Sequence, residues 1–236
     1  QALDIKPDFH EALTNKGGAL INLGRYEEAL VACDQALDIK PDFHMALTNK
    51  GGALINLGRY EEAFVAFDQA LDIKPDFHMA LANKGSALGN LGRYEEAIAA
   101  FDQALHIKPD YHYALYFKGS ALDDLGRYEE AIAAFDQALD IKPDFHGALF
   151  NKGIALGNLG RYEEAITAFD QALDIKSDDH KILFNKGNAL FNLGHYEESI
   201  TIYDQALDIK PDFHEALTNK GGALINLGRY EEALVA

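Results

Sequence analysis

Histidine, paired glutamates and one cysteine are the residues in this chain whose chemistry could exceed packing. A histidine stands at positions 10, 44, 78, 112, 146, 180 and 214, an interval of 34 residues, with His106 and His195 outside the series. Regular histidines invite a metal. A zinc ion needs ligand nitrogens at roughly 2.0–2.1 Å, whereas packed helices that repeat side by side stand about 8–10 Å apart. No cysteine or second histidine lies at ligand spacing within an interval, so no metal and no cofactor is expected. Each histidine is expected at a solvated helix start. Glu27-Glu28 also recurs in every copy. Catalysis needs unlike groups converging at one place, and equal carboxylate pairs supply only charge suited to the positive end of a helix dipole. No Ser/His/Asp or Cys/His arrangement and no glycine-rich phosphate loop occurs, so the chain is not expected to be an enzyme.

Cys33 is the lone cysteine. It takes a slot filled elsewhere by Phe67, Phe101, Phe135, Phe169 and Tyr203, and reads as a buried apolar thiol. A single cysteine builds no disulfide framework, and a cytoplasmic location is expected over a secreted one. The net charge is −17 over 236 residues. Lys16, Arg25 and Lys40 in the first interval are outnumbered by Glu27, Glu28, Asp34, Asp38 and Asp42, and later copies keep the deficit. A phosphate backbone would need clustered Lys and Arg, so no nucleic acid partner is expected; a neutral to basic protein or peptide is. No apolar run reaches the length of a membrane span, and no membrane partner is expected.

The interval itself is the organising feature. HEALTNKGGALINLGRYEEALVACDQALDIKPDF, residues 10–43, returns with small changes at each histidine. A fixed period of this size marks stacked supersecondary units, each contacting mainly its neighbours. Full units occupy 10–43, 44–77, 78–111, 112–145, 146–179 and 180–213; residues 1–9 read as the end of a preceding unit's second helix, and 214–236 as a partial unit. Within a unit, Ala12, Leu13, Gly17, Leu20 and Leu23 fall on one face of a first helix, opened by an Asp8–Glu11 capping box and closed by Gly24. Tyr26, Ala29, Leu30, Cys33, Ala36 and Leu37 form the apolar stripe of a second helix, stopped at Lys40-Pro41. Small residues such as Gly17 and Ala29 are expected to let the two helices approach closely.

These residues resemble the tetratricopeptide repeat family. Its pattern of a large residue, a small residue, Ala-x-x-x-Phe and a late Pro is met by Leu47, Gly51, Ala63–Phe67 and Pro75, and similarly along essentially the whole chain. Two departures stand out. The usual Trp is always Leu, and the position before the small Gly is always Lys (Lys16, Lys50, Lys84, Lys118, Lys152, Lys186, Lys220). That lysine is expected to lay its stem over the core and pair with the Asp34-type acid. The resemblance implies an all-α fold, a right-handed superhelical solenoid of antiparallel helix pairs, whose first helices line a concave groove for a peptide or protein segment. The implied function is a non-catalytic interaction scaffold.

In such repeats the groove positions are the second, fifth, sixth, ninth, twelfth and thirteenth of each unit. The outer units present mostly small or neutral groups there. The fourth presents Tyr113, Tyr116, Phe117, Ser120, Asp123 and Asp124; the fifth Phe150, Asn151, Ile154 and Asn158; the sixth Lys181, Phe184, Asn185, Asn188, Phe191 and Asn192. Aromatic groups on a binding face supply large contact area at low entropy cost. The expected peptide-binding residues are Tyr113, Tyr116, Phe117, Asp124, Phe150, Asn151, Ile154, Lys181, Phe184, Asn185, Asn188 and Phe191. Some of these aromatics are equally suited to packing against neighbouring helices. Asparagine recurs at the sixth and thirteenth positions, broken at Phe117 and Asp124, and an amide ladder can match the backbone of an extended peptide. The family's carboxylate clamp would need lysines and an arginine in the groove; Lys181 and Asn188 alone do not make one, and an acidic tail is not an expected ligand.

Residues 1–32 and 205–236 are identical. Because the fragment that ends at Ala236 nearly completes the one that begins at Gln1, a structural rod associating head to tail as a homo-oligomer is the alternative reading.

Overall fold

The computed structural model describes residues 9–234. Among them the chain forms helices and no strand. The first helices of the successive repeats are α1 (His10–Asn22), α3 (His44–Asn56), α5 (His78–Asn90), α7 (His112–Asp124), α9 (His146–Asn158), α11 (His180–Asn192) and α13 (His214–Asn226). The second helices are α2 (Tyr26–Ile39), α4 (Tyr60–Ile73), α6 (Tyr94–Ile107), α8 (Tyr128–Ile141), α10 (Tyr162–Ile175), α12 (Tyr196–Ile209) and the short α14 (Tyr230–Ala233). The chain divides into two compact units after Leu125, inside the fourth repeat. One holds α1–α7 and the other α8–α14. In each unit a first helix packs on its own second helix, and that second helix on the next first helix.

Each first helix ends because glycine follows it in a left-handed conformation. Gly24 has φ 72°, and the same glycine recurs with φ between 73° and 79°. The Gly24 and Arg25 N–H groups donate to Ile21 and Leu20 at 2.9 Å, satisfying carbonyls the helix end leaves open. The expected capping box is not how these helices begin. Asp8 lies outside the described residues, and in the repeats that follow the aromatic at Phe43, Phe77, Tyr111, Phe145 or Phe213 holds the cap position without a side-chain bond. The preceding lysine instead lies over that ring, as Lys40 does 5.2 Å from the Phe43 centroid. Repeat six differs. Asp179 replaces the aromatic, accepts from the Lys181 N–H at 3.1 Å and pairs with Lys176 at 2.9 Å.

His10, His44, His78 and His180 are likewise not simply solvated, whereas His214 is exposed as expected. Each described inter-repeat pair sets the ring edge-on to the next aromatic: His10 to Phe43 at 4.8 Å, His44 to Phe77 at 5.1 Å, His180 to Phe213 at 5.2 Å. Partial burial, then nearby lysines, hold His44 and His78 below the ordinary histidine range.

Glycine on the first helix faces the large residue of the second. A Cβ on Gly51 would stand 2.5 Å from the Phe67 ring, and on Gly85 2.7 Å from Phe101. Gly17 faces Cys33 the same way, at 2.7 Å, with the Ala29 carbonyl next at 3.5 Å. Cys33 is fully buried, and burial with the Asp34 charge pushes its thiol up to about 12. The regular lysine pairs with an acid of the repeat before it: Lys50–Asp34 at 2.7 Å, Lys118–Asp102 and Lys152–Asp136 at 2.6 Å. Glu28 is held by Arg25, so the glutamate pair also serves its own helix start. Gln1 and Ala236, on which the head-to-tail reading depends, lie outside the described residues.

Candidate functional site

The face of interest arises from one position on the first helices. At the twelfth place of a repeat the side chain reaches toward the ninth place of the next. Ile21 Cδ1 comes within 3.9 Å of where a Cβ on Gly52 would stand, and Phe191 within 3.8 Å of the same point on Gly222. At Gly89 and Gly157 no side chain makes that reach, and a Cβ there would meet nothing within 4 Å. A cleft opens at each. The first, in the unit α1–α7, measures about 360 Å³ and lies between α5 and α7 above Tyr94 and Phe101 of α6. The second, in the unit α8–α14, measures about 200 Å³ and lies between α9 and α11 above Tyr162 and Phe169 of α10.

In the first unit, Phe117 and Asp124 line the same cleft, with Ser86 and Ser120. Phe117 is 40% exposed and lies nearly parallel to Phe101, the ring centroids 6.3 Å apart. Tyr116 is half-buried and meets the Phe117 ring edge-on at 5.1 Å. Tyr113 is 45% exposed, near the Tyr111 and His112 rings rather than in the cleft. Asp124 is exposed and makes no hydrogen bond or ion pair among the described residues. Beside it in sequence, Asp123 keeps one carboxylate oxygen buried without a hydrogen bond; burial, then the Asp124 charge, raises its pKa.

In the second unit, Ile154, Asn185 and Asn188 line the cleft with Asn158 and Asn192. Several expected residues are also engaged in packing. Phe150 lies against Phe169 at 6.1 Å, and Ile154 joins the core around Leu156 and Phe169. Phe184 contacts Tyr203 and Phe213 at 6.1 and 5.0 Å, and Phe191 meets Tyr196 at 5.3 Å. The Asn188 side-chain Oδ1 accepts from the Tyr203 hydroxyl at 2.8 Å and from the Asn219 side-chain amide at 2.7 Å. That bond follows from sequence: Tyr203 fills a phenylalanine slot, and its buried hydroxyl requires an acceptor. Lys181 is exposed, while Asn151 is half-buried.

The amide ladder is partly spent. Asn56, Asn90, Asn192 and Asn226 donate to carbonyls one turn back at 2.8–2.9 Å, and Asn185 does so to Lys181. Asn49 reaches the Thr14 carbonyl of the repeat before it. These amides retain an acceptor oxygen but have committed a donor. Sequence reasoning missed Gly89, Gly157, Tyr94 and Tyr162. The glycines were detectable among the four places where the twelfth position loses Ile, the others being Asp123 and Phe191; the tyrosines recur in every repeat and carried no signal. Among the described residues, no group of three His, Cys, Asp or Glu could hold a metal, and no helix is long and apolar enough to cross a membrane.

Comparison with known proteins gives the class. Tetratricopeptide repeat models match residues 10–43 and 44–77, and a second such model matches 82–144, 142–180, 150–212 and 184–236. The chain belongs to the tetratricopeptide repeat family, whose repeats are generally non-catalytic modules of protein–protein interaction. No curated protein sequence matches it. Solved structures share the fold. YrrB, described as a TPR protein with an unusual peptide-binding site, is 23% identical with TM-score 0.67, covering 80% of this chain and 97% of its own. A tetratricopeptide repeat protein from Parabacteroides merdae is 20% identical with TM-score 0.72, over 95% of this chain and 88% of its own. PilF from Pseudomonas aeruginosa is 18% identical with TM-score 0.77, over 88% and 94%.

Proposed function

We propose that this chain is an interaction scaffold that holds an extended, neutral to basic peptide segment against its first helices in repeats four to six. Each unit offers its own proposed contacts: Tyr113, Tyr116, Phe117 and Asp124 in one, and Phe150, Asn151, Ile154, Lys181, Phe184, Asn185, Asn188 and Phe191 in the other. The observation that carries this reading is the coincidence of departures from the repeat: Gly89, Phe117 and Asp124 all bound one open cleft. Aromatic surface left accessible beside a cleft is the usual anchor of a protein interface. The peptide-binding site of YrrB, a protein of the same fold, adds support by analogy.

The test fills the clefts with the residue other repeats carry. Alanine at Phe184 would disturb its contacts with Tyr203 and Phe213, whereas isoleucine at Gly89 and Gly157 enters open space. Gly89→Ile with Gly157→Ile is expected to weaken calorimetric binding of a peptide selected on the wild-type chain at least about tenfold, roughly 1.4 kcal/mol. Unchanged affinity with unchanged helicity would refute the proposal.

A further inference from the structure

The two clefts share a glycine opening and a tyrosine–phenylalanine floor, yet differ in what stands at their mouths. The second has Asn185 and Asn192 at its sixth and thirteenth positions; the first has Phe117 and Asp124. Every other sixth and thirteenth position in the chain is asparagine. Both exceptions therefore fall in one repeat and face one cleft, which is also the larger of the two.

Together they change its chemistry. Asp124 is the only charged residue lining the cleft, and its carboxylate has no hydrogen bond or ion pair among the described residues. No lysine or arginine lines the cleft. The Phe117 ring, 40% exposed, and Tyr94 supply aromatic surface. A cation over an aromatic face is attracted by the ring quadrupole, more strongly as water is displaced. An aliphatic stem ending in a positive charge satisfies both parts: the stem covers ring and glycine surface, and the head meets the carboxylate.

We propose that the cleft between α5 and α7 is a specificity pocket for one basic side chain, lysine or arginine, of the bound segment. This rests on the peptide-scaffold reading and names the residue class that the first cleft selects. The cleft between α9 and α11, lined by amides, makes no such selection.

The experiment selects binders from a phage-displayed random dodecapeptide library on the full chain, then titrates synthetic peptides by calorimetry. Selected peptides should share one lysine or arginine. Replacing it by norleucine should weaken binding about tenfold. Asp124→Asn, which restores the asparagine of the other repeats, should weaken the basic peptide similarly and leave the norleucine peptide unaffected. Binders without a shared basic residue, or a basic peptide indifferent to Asp124→Asn, would overturn the pocket while leaving the scaffold reading intact. A library that yields no binder, or binders indifferent to Gly89→Ile with Gly157→Ile, would overturn both.

Discussion

At Gly85 a methyl group would stand 2.7 Å from the Phe101 ring, whereas four residues on, at Gly89, it would meet nothing. One glycine is required for packing and the other leaves space. Gly85→Ala is expected to destabilise the chain by about 1–3 kcal/mol, as overpacked core sites do, read as a lower midpoint in chemical denaturation. Gly89→Ile should leave stability unchanged or raise it by about 0.5 kcal/mol through helix propensity. Gly85 stands where every repeat carries glycine and Gly89 where the residue varies, and their neighbours supply the physical reason. The histidines carry a second prediction. His44 and His78 are held below their ordinary range by burial and then by lysines, so the folded chain resists their protonation. Their contribution to stability is present above pH about 6.5 and is lost as pH falls through the lower folded value. The melting midpoint should drop between pH 7.5 and 5.5, and His44→Gln with His78→Gln should reduce that drop; equal drops would contradict this.

The helices were legible from the 34-residue period, from Gly24 and its equivalents, and from Pro41 and its equivalents, because each acts through backbone geometry that few residues reproduce. Helix starts were less so. Asp–x–x–Glu spacing suggested side-chain capping, but an aromatic residue occupies the cap position and is held by an overlying lysine and the preceding histidine. Asp179 is the exception that tests this. Burial would raise its carboxyl, but the bonds from Lys176 and the Lys181 N–H outweigh burial and hold it below the usual range. Asp179→Ala removes the cap and the ion pair, and should cost about 1 kcal/mol of stability. A denaturation midpoint equal to wild type would show that α11 does not depend on its cap. The lysine before the small glycine pairs with the Asp34-type acid, as its place in the repeat suggests. What the period did not reveal is direction: Lys50 reaches back to the preceding repeat, so the pair ties neighbours together.

Across the whole molecule, near-identical repeats explain why the chain stacks, and departures from identity explain where it could bind. Phe117 and Asp124 stood out in sequence as breaks in two asparagine series. That they share a cleft with Gly89 was not readable, because the convergence joins the third repeat to the fourth across α5 and α7. Phe184, Phe191 and Asn188 show the opposite limit. Their types suit a binding face, yet each also meets a packing need set by neighbours such as Tyr203 and Gly222. The net charge of −17 favours basic segments at long range, so association should slow as salt rises. The most direct measurement is a crystal structure of the full chain with a selected peptide. The peptide is predicted to lie along the first helices, with a side chain in the cleft between α5 and α7. A peptide seated instead on the second helices, with that cleft vacant, would contradict the account.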